Sequence, residues 1–173
     1  MAGRAKGRKQ RAPAVIISSS QRAVRVPRKK ITRLIRHVAR AEGARIGEID
    51  LAVVGCREMA ALNRRWLRKA GATDVLCFDL SDSRRRGGIS AQLVVCGDVA
   101  AEQGRARGTG PQRELLLYVV HGLLHLMGYD DASIRGAAKM RAREEELLEG
   151  FLARRKRRRA SDRGTKRSRR SRR

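Results

Sequence analysis

The most informative segment for the fold of this chain is PQRELLLYVVHGLLHLMGYDD, residues 111–131. It predicts a helix that begins at Pro111 and ends before Gly128, because proline suits a first helical turn and glycine suits the position just past the last turn. Nearly every side chain in between is apolar, on all sides of the helix. This pattern indicates a buried helix at the centre of a domain, which makes its two histidines, His121 and His125, conspicuous.

These two histidines predict a metal site. They stand four residues apart, so their imidazoles project from one face of the helix, about one turn from each other. That separation suits two ligands of one tetrahedral metal ion. Gly128 lets the chain leave the helix, and Asp131 can return to supply a third ligand, although the neighbouring Asp130 is an alternative ligand or caps the next helix. Three protein ligands leave a fourth position for water, as catalytic zinc sites do.

The residue after the first histidine limits the chemistry of this site. The spacing of His121, His125, Gly128 and Asp131 equals that of the metzincin zinc peptidases. Those enzymes carry a glutamate after the first histidine as general base, whereas this chain has Gly122. A peptidase reaction would therefore lack its proton acceptor, which favours another hydrolytic reaction.

The rest of the sequence predicts alternating strands and helices. Strand-forming segments occupy residues 13–18, 47–55, 73–80 and 91–99, and helical periodicity occupies residues 28–43 and 57–71. A final helix is expected at residues 134–152. This order predicts an α+β fold in which a mixed sheet of about four strands is packed with helices around a central, buried, zinc-binding helix.

Charge divides the chain into one domain and two tails. The 173 residues suffice for a single domain, at residues 13–153. The formal net charge is +25, and residues 154–173 hold 13 Lys or Arg and a single Asp. This segment and the basic residues 1–12 lack apolar side chains to bury, so we expect both to be disordered in isolation and to bind a polyanion. RNA, DNA and acidic membrane surfaces are the candidate partners.

Cysteine usage and apolar runs indicate the compartment. Cys56, Cys77 and Cys96 are odd in number, widely spaced and without a CxxC pair. This pattern favours neither a disulfide framework nor a thiolate zinc cluster, and it fits a reducing compartment. The apolar runs are too short for a signal peptide or for the roughly 18 residues of a membrane span. We therefore expect a cytoplasmic protein without a membrane-bound segment.

Four motifs resemble one known family. HGLLHLMGYD, residues 121–130, is very similar to the H-G-x-L-H-L-x-G-Y-D-H signature of the YbeY endoribonucleases, the bacterial rRNA maturation factors. LNRRW from Leu62, TDVLCF from Thr73 and GDVAAEQ from Gly97 match in the same order. The resemblance implies a compact α+β metalloprotein that holds one zinc ion per chain and hydrolyses single-stranded RNA. It also implies action on the 3′ end of 16S rRNA in the small ribosomal subunit, and in ribosome quality control.

This chain departs from the family at two positions. The resemblance favours Asp131 over Asp130 as third ligand, at the position where the family usually has a histidine. A carboxylate oxygen is an acceptable zinc ligand, although it lowers the net charge of the site and weakens its Lewis acidity. The family also carries an arginine shortly before its T-D-V-L-S-F stretch, and Leu67 occupies that position here.

Neighbouring arginines are the candidates to replace the missing one. Arg64, Arg65 and Arg68 are predicted to bind RNA, with Arg68 or Arg65 also steadying charge on the scissile phosphate. If the segment is helical throughout, Arg64 and Arg68 share one face and Arg65 points about 100° away. Only 3% of the residues are aromatic, so we expect RNA to be held by its backbone rather than by base stacking.

Two other functions compete with the nuclease. A basic ribosome-associated protein without catalysis would use zinc as a structural ion and bind through its tails, but the open three-ligand pattern disfavours it. A zinc peptidase would need a general base from elsewhere in the chain, and Gly122 weighs against it.

Overall fold

The protein is described by a computed structural model covering residues 14–82 and 88–170, with residues 155–170 described by their backbone alone. The predicted tail at residues 1–12 and most of the arginine-rich loop after residue 82 lie outside the described residues. Within them, the elements in chain order are β1 (Ala14–Ser19), α1 (Arg28–Ala41), β2 (Ile46–Val54), α2 (Cys56–Leu67), β3 (Val75–Asp79), β4 (Ile89–Cys96), α3 (Gly97–Ala106), α4 (Pro111–Leu126) and α5 (Ile134–Arg170).

The strands form one mixed sheet in the order β1-β2-β4-β3. β1 pairs with β2 and β2 pairs with β4 in parallel, whereas β3 pairs antiparallel with β4 and forms an edge of the sheet. At this edge, Val75 pairs with Val95 and Cys77 pairs with Leu93. The predicted α+β class with a four-stranded mixed sheet is confirmed.

Side chains of β4 divide the core between the two faces of the sheet. Leu93 and Val95 point into the larger cluster, which contains buried side chains of α1, α4 and α5. Val94 and Cys96 point into a smaller cluster, together with Met59 of α2. Successive residues of a strand point to opposite faces. Helices α1, α4 and α5 therefore cover one face, and α2 covers the other.

Helix α4 is buried at the centre of the larger cluster, as the sequence predicts. Its buried residues come from all around the helix: Glu114, Leu115, Leu116, Tyr118, Val119, Val120, Gly122, Leu123 and Leu124. Gly122 allows α4 to approach the sheet closely, because a Cβ atom there would lie 2.4 Å from Leu93 Cδ2 and 2.8 Å from Cys77 Sγ. The position that carries the general base in metzincins is thus a packing contact in this fold.

Helix α3 differs from the prediction. Residues 97–99 were expected to end a strand, but they begin a helix that follows β4 directly. Two glycines, Gly97 and Gly104, weaken the helical signal of this segment. Gly104 packs so closely that a Cβ atom there would lie 2.5 Å from the carbonyl carbon of Gly110. Tertiary packing, rather than intrinsic propensity, therefore stabilises α3.

Helix α5 also differs, because it extends from its predicted end at Leu152 to Arg170. The sequence predicts disorder from residue 154, but Arg and Lys have high helix propensity, which allows a helical backbone to continue beyond the core. Among the described side chains of α5, the buried ones end at Phe151. The predicted domain boundary at residue 153 stays a prediction. No helix in the described ranges is both long and apolar enough to cross a bilayer.

Candidate metal centre

Helix α4 and the turn after it bring the three predicted metal ligands together. The Nε2 atoms of His121 and His125 lie 3.0 Å apart. Asp131 Oδ2 lies 4.0 Å from the first of these nitrogens and 3.8 Å from the second. The predicted ligand set therefore forms a compact group in the structure.

The turn after α4 directs the chain back towards the histidines. Helix α4 ends at Leu126, and Gly128 has a φ of 88°, in the left-handed region that favours glycine. The Tyr129 N–H then donates a hydrogen bond of 3.0 Å to the Leu124 carbonyl. This reversal places Asp131 beside the imidazole ring of His125, in the last turn of α4.

Asp130 has a different role from the one predicted. Its carboxylate accepts a hydrogen bond of 3.0 Å from the Ala132 N–H, which stabilises the turn itself. The next helix is capped instead by Ser133, whose hydroxyl accepts a hydrogen bond of 2.9 Å from the Gly136 N–H. The expectation that Asp130 caps the following helix is therefore corrected. Asp131 is the carboxylate that faces the histidines.

Hydrogen bonds at the Nδ1 atoms fix both imidazole rings. His121 Nδ1 lies 2.8 Å from Glu144 Oε1, and His125 Nδ1 lies 3.1 Å from the Tyr129 carbonyl oxygen. A carboxylate and a carbonyl only accept hydrogen bonds, so each Nδ1 carries a proton and donates it. In the neutral rings, both Nε2 lone pairs then point towards the space that Asp131 also faces.

This donor set fits a metal ion. When both rings are neutral and carry their protons on Nδ1, the two Nε2 atoms 3.0 Å apart and a carboxylate oxygen within 4.0 Å are acceptors that face one another. Such an arrangement of acceptors is unfavourable unless a cation lies among them. Imidazole nitrogens and a carboxylate oxygen are ligands that zinc accepts. The partners at the two Nδ1 atoms are the kind that orient zinc-binding histidines.

Glu144 is a functional residue that the sequence analysis did not identify. It comes from α5, 23 residues after His121, and is only 6% exposed. Burial by itself would lower the pKa of His121, but the hydrogen bond and charge of Glu144, with smaller effects of Asp74 and Asp131, raise that pKa above its ordinary value. Helical periodicity carries no signal for this contact, because it depends on how α5 packs on α4.

A cleft of about 490 Å³ lies beside His121. Its lining includes three carboxylates, Asp74, Glu144 and Glu145, and two cations, Arg107 and Arg141. The cleft thus opens onto a proposed metal ligand, and side chains of both charges line it. The cleft therefore offers guanidinium groups to an anionic substrate and carboxylates for proton transfer.

Arg107 is held at this cleft by a buried carboxylate. Glu114 in the first turn of α4 is 1% exposed and lies 3.1 Å from Arg107 Nη1. It also accepts a hydrogen bond of 2.7 Å from the Thr109 hydroxyl. Glu114 thus stabilises the connection between α3 and α4, and it gives Arg107 a defined position.

The predicted arginines do not line the cleft. Arg64 and Arg65 lie in the last turn of α2, which packs on the face of the sheet opposite α4. The helix ends at Leu67 and Arg68 has a left-handed φ of 55°, which corrects the prediction of one helical face shared by Arg64 and Arg68. Among the described residues that line the cleft beside His121, the arginines are instead Arg107, just after α3, and Arg141 of α5.

A second group of potential ligands lies on the α2 side of the sheet. The Sγ atoms of Cys56 and Cys96 are 3.6 Å apart, close to Asp98. The Asp98 carboxylate accepts a hydrogen bond of 2.6 Å from the Cys56 N–H and so satisfies the N-terminus of α2. Burial and the neighbouring Cys96 raise the pKa of the Cys56 thiol to about 11. This group is therefore a packed thiol pair with a helix cap, and the wide spacing in sequence carries no signal for it.

Comparisons with known proteins find similar sequences and a similar structure. The sequence pattern of the family described as Endoribonuclease YbeY matches residues 16–152. An Endoribonuclease YbeY of Nocardioides sp. is 39% identical over 116 residues, which cover 63% of this chain and 78% of that protein. One of Salinibacter ruber is 38% identical over 125 residues, covering 69% of this chain and 80% of that protein. The solution structure of TM1509 from Thermotoga maritima is similar with a TM-score of 0.52 and 25% identity, over 80% of this chain and 92% of that one.

Proposed function

The chain belongs to the YbeY endoribonuclease family, and from this membership we propose that it is a zinc-dependent endoribonuclease that cuts single-stranded RNA. The observation that carries the proposal is the pair of Nε2 atoms of His121 and His125, 3.0 Å apart, with both Nδ1 atoms hydrogen-bonded and the Asp131 carboxylate beside them. The side chains of these three residues are 22%, 32% and 48% exposed. An ion held there is accessible to a substrate.

The ligand residues and their partners have separate tasks. His121, His125 and Asp131 would hold one zinc ion, which would supply Lewis acidity towards a phosphodiester and towards the attacking hydroxyl, that of water or of the RNA 2′ position. Glu144 and the Tyr129 carbonyl keep the rings in the tautomer whose Nε2 lone pairs are available. A protein that keeps these groups fixed before the substrate arrives loses little energy in reorganisation during the reaction.

The cleft beside His121 binds the reacting phosphate. Arg141 and Arg107 are the cations in its lining, and guanidinium groups bind phosphate oxygens through charge-assisted hydrogen bonds. Arg107 has its own buried partner, so Arg141 is the better candidate to follow the charge that develops during cleavage. Asp74 faces the same cleft and is the proposed group that exchanges a proton there.

Arg64, Arg65 and Arg68 are assigned to the RNA backbone outside the cleft. Helices α2 and α4 flank the edge strand β3 from opposite faces of the sheet. A single strand of RNA that passes over this edge can contact α2 and still reach the cleft on the other face. Phosphate contacts of this kind supply affinity without reading the sequence.

The proposed target is the 3′ end of 16S rRNA in the small ribosomal subunit, in the maturation of that RNA and in ribosome quality control. Family membership supports this target. The proposed compartment is the cytoplasm, where the thiols of Cys56 and Cys96 stay reduced. The net charge of +25 suits a protein whose partner is a large RNA.

The peptidase alternative fits this structure poorly. A glutamate in place of Gly122 would put its Cβ atom 2.4 Å from a side-chain carbon of Leu93, inside the contact between α4 and the sheet. A general base at that position therefore requires a different packing of α4. The non-catalytic alternative is disfavoured by the exposure of Asp131, because structural zinc sites are usually closed by four protein ligands.

One experiment separates these three functions. Purified, zinc-loaded protein is incubated with labelled single-stranded RNA and with casein, each with and without a chelator. RNA cleavage that the chelator abolishes and added zinc restores supports the nuclease. Casein cleavage would identify a peptidase, and cleavage of neither substrate would leave the non-catalytic function. His121→Ala should be inactive, whereas Asp130→Asn, next to the ligand Asp131, serves as the matched control and should stay active.

A further inference from the structure

An exposed indole lies among the arginines of α2. Trp66 is the only tryptophan of the chain, and 56% of it is exposed. The next residue, Leu67, is 50% exposed. Exposed apolar surface formed by neighbouring side chains, unlike a single exposed apolar residue, can mark a binding site. Trp66 is thus a place where a partner can gain contact area.

The indole is held in a fixed orientation. Its ring centroid lies 5.6 Å from that of Phe78 on β3, at an interplanar angle of 65°. Phe78 itself packs against the smaller core cluster. Edge-to-face contact with an anchored ring restricts the indole before any ligand binds. A planar ligand that stacks on it therefore loses little affinity to ordering of the side chain.

The charge around Trp66 selects an anionic ligand. The Arg65 guanidinium carbon lies 5.4 Å from the indole centroid, over the ring. Arg64 precedes this pair, and Arg68 follows it. Glu58, the carboxylate of α2, lies at the other end of the helix and accepts a hydrogen bond of 2.8 Å from the Ser20 hydroxyl. An apolar protein surface would have to desolvate these cations, whereas a nucleic acid would pair with them.

Single-stranded nucleic acids are commonly bound by this combination of groups. Unpaired bases stack on aromatic rings or guanidinium planes, and neighbouring cations hold the phosphates. We infer that Trp66 is a binding site for one unpaired base, with Arg64, Arg65 and Arg68 holding the adjoining phosphates. The inference rests on the proposed function, because it concerns the RNA which that site would cut. Because the chain has few aromatic residues, we expect base stacking at this position, in addition to the backbone contacts expected from the sequence.

The indole itself reports on this site. Because Trp66 is the only tryptophan, the tryptophan fluorescence of the full-length protein comes from this position alone. The zinc-loaded protein is titrated with a hexadeoxyadenylate, which presents bases but lacks the 2′-hydroxyl groups of RNA. A parallel titration uses an abasic oligomer with the same number of phosphates. We expect saturable quenching by the first oligomer and no quenching by the second, although fluorescence anisotropy of labelled oligomers should show binding of both.

Three variants sharpen the test. Trp66→Ala should weaken hexadeoxyadenylate binding about tenfold, as loss of one stacked base does, and should leave the affinity for the abasic oligomer unchanged. Trp66→Phe keeps a ring and should bind with intermediate affinity. Leu80→Ala is the matched control, because Leu80 is 63% exposed just after β3 but offers no ring. It should bind both oligomers as the parent protein does.

Specific outcomes would overturn this inference. They are equal quenching by both oligomers, an unchanged hexadeoxyadenylate affinity in Trp66→Ala, or an equal loss of affinity in Leu80→Ala. RNA cleavage is measured separately with the zinc-loaded protein. A protein that cleaves RNA but shows no base-dependent quenching loses only the stacking site. A protein that shows base-dependent quenching without cleavage keeps the stacking site and loses the proposed nuclease function.

Discussion

Asp131 is the residue by which the proposed metal site differs from the family pattern. Its carboxylate lies 4.0 Å from His121 Nε2 and 3.8 Å from His125 Nε2, and among the described residues no hydrogen-bond donor engages it as the Ala132 N–H engages Asp130. Substitution of Asp131 by histidine would remove one negative charge and restore an imidazole ligand. The position therefore tests both the ligand set and the charge of the site.

We predict one zinc ion per chain. Asp131→His should retain it, whereas Asp131→Ala should lower the zinc affinity by at least about 100-fold, since loss of a residue that only orients a ligand already costs up to that much. His121→Ala should lose the ion altogether. Elemental analysis and titration against a competing chelator measure both effects. Equal affinity in the two Asp131 variants would show that Asp130 or water fills the third position.

Glu144 acts through His121 rather than on the substrate. We predict that Glu144→Gln lowers zinc affinity about tenfold, because the amide accepts the same hydrogen bond but lacks the charge that stabilises the ligating tautomer. In the metal-free protein the pKa of His121 should fall, since Glu144 is the main group that raises it. Chelator competition and an NMR titration of the ring protons measure the two effects.

Glu145→Gln is the control for this prediction, because its side chain is 53% exposed and pairs with Arg113 rather than with a histidine. It should change neither quantity. A Glu144→Gln protein with unchanged zinc affinity and an unchanged pKa of His121 would mean that the contact does not orient the ring in solution.

The sequence and the structure point to different arginines as the cation that assists the reaction. The resemblance to the family favours Arg68 or Arg65, whereas the cleft beside His121 contains Arg141. We predict that Arg141→Ala lowers the rate at saturating RNA by about 10²-fold, the usual loss for one transition-state donor, with zinc content intact. Alanine at Arg64, Arg65 or Arg68 should change affinity and its salt dependence. A large rate loss in Arg68→Ala alone would instead assign the reaction's cation to α2.

The three proposed ligands could be predicted from the sequence because they lie close together along the chain. His121 and His125 share one helical face, and Asp131 follows a turn that Gly128 predicts. Glu144 and Arg141 belong to α5, which is a separate helix from the one that carries the histidines. Only the packing of α5 on α4 brings them to the cleft. Short-range periodicity therefore predicted the three side chains that the structure brings together, but not the groups hydrogen-bonded to them.

At the scale of the elements, burial of α4 was predictable and the side of the sheet covered by α2 was not. The two central strands of the sheet, β2 and β4, are apolar on both faces, as in LAVV of β2 and LVVC of β4. Buried strands of this kind show no alternation that would assign a helix to one face. The prediction that α2 places arginines at the metal therefore rested on resemblance alone.

The contact between α4 and the sheet makes a prediction about stability. Gly122→Ala should lower the free energy of unfolding by about 1–3 kcal/mol, because its added methyl would overlap Leu93 and Cys77. Gly150→Ala in α5 is the matched control, since the nearest atom there, His37 Nε2, is 4.0 Å away. It should raise that free energy by about 0.5–1 kcal/mol through higher helix propensity. Urea unfolding measures both; an unchanged Gly122→Ala would show that α4 lies farther from the sheet than described.

At the scale of the whole molecule, a large share of the positive charge follows the folded core in sequence. The metal site itself combines carboxylates with histidines, whereas 13 of the 42 Lys and Arg residues follow Ala153. In α5 the helical backbone continues from the core to Arg170. A basic segment that extends from the fold can hold RNA by its phosphates while leaving the cleft free to act on one bond. Affinity and catalysis should then be separable.

Truncation after Ala153 tests this separation. We predict weaker RNA binding and a flatter dependence of log affinity on log salt concentration, because each phosphate contact that is lost removes about 0.7 units of slope for a single strand. The rate at saturating RNA should survive, since the cleft residues all precede the cut. A full-length variant with glutamine in place of the 13 basic residues of 154–173 is the control that separates charge from length. If its slope matches that of the truncated protein, charge accounts for the effect. A truncated protein with an unchanged slope would show that this segment does not contact the RNA, and a stably folded truncated protein with a lost saturated rate would show that the segment takes part in the reaction.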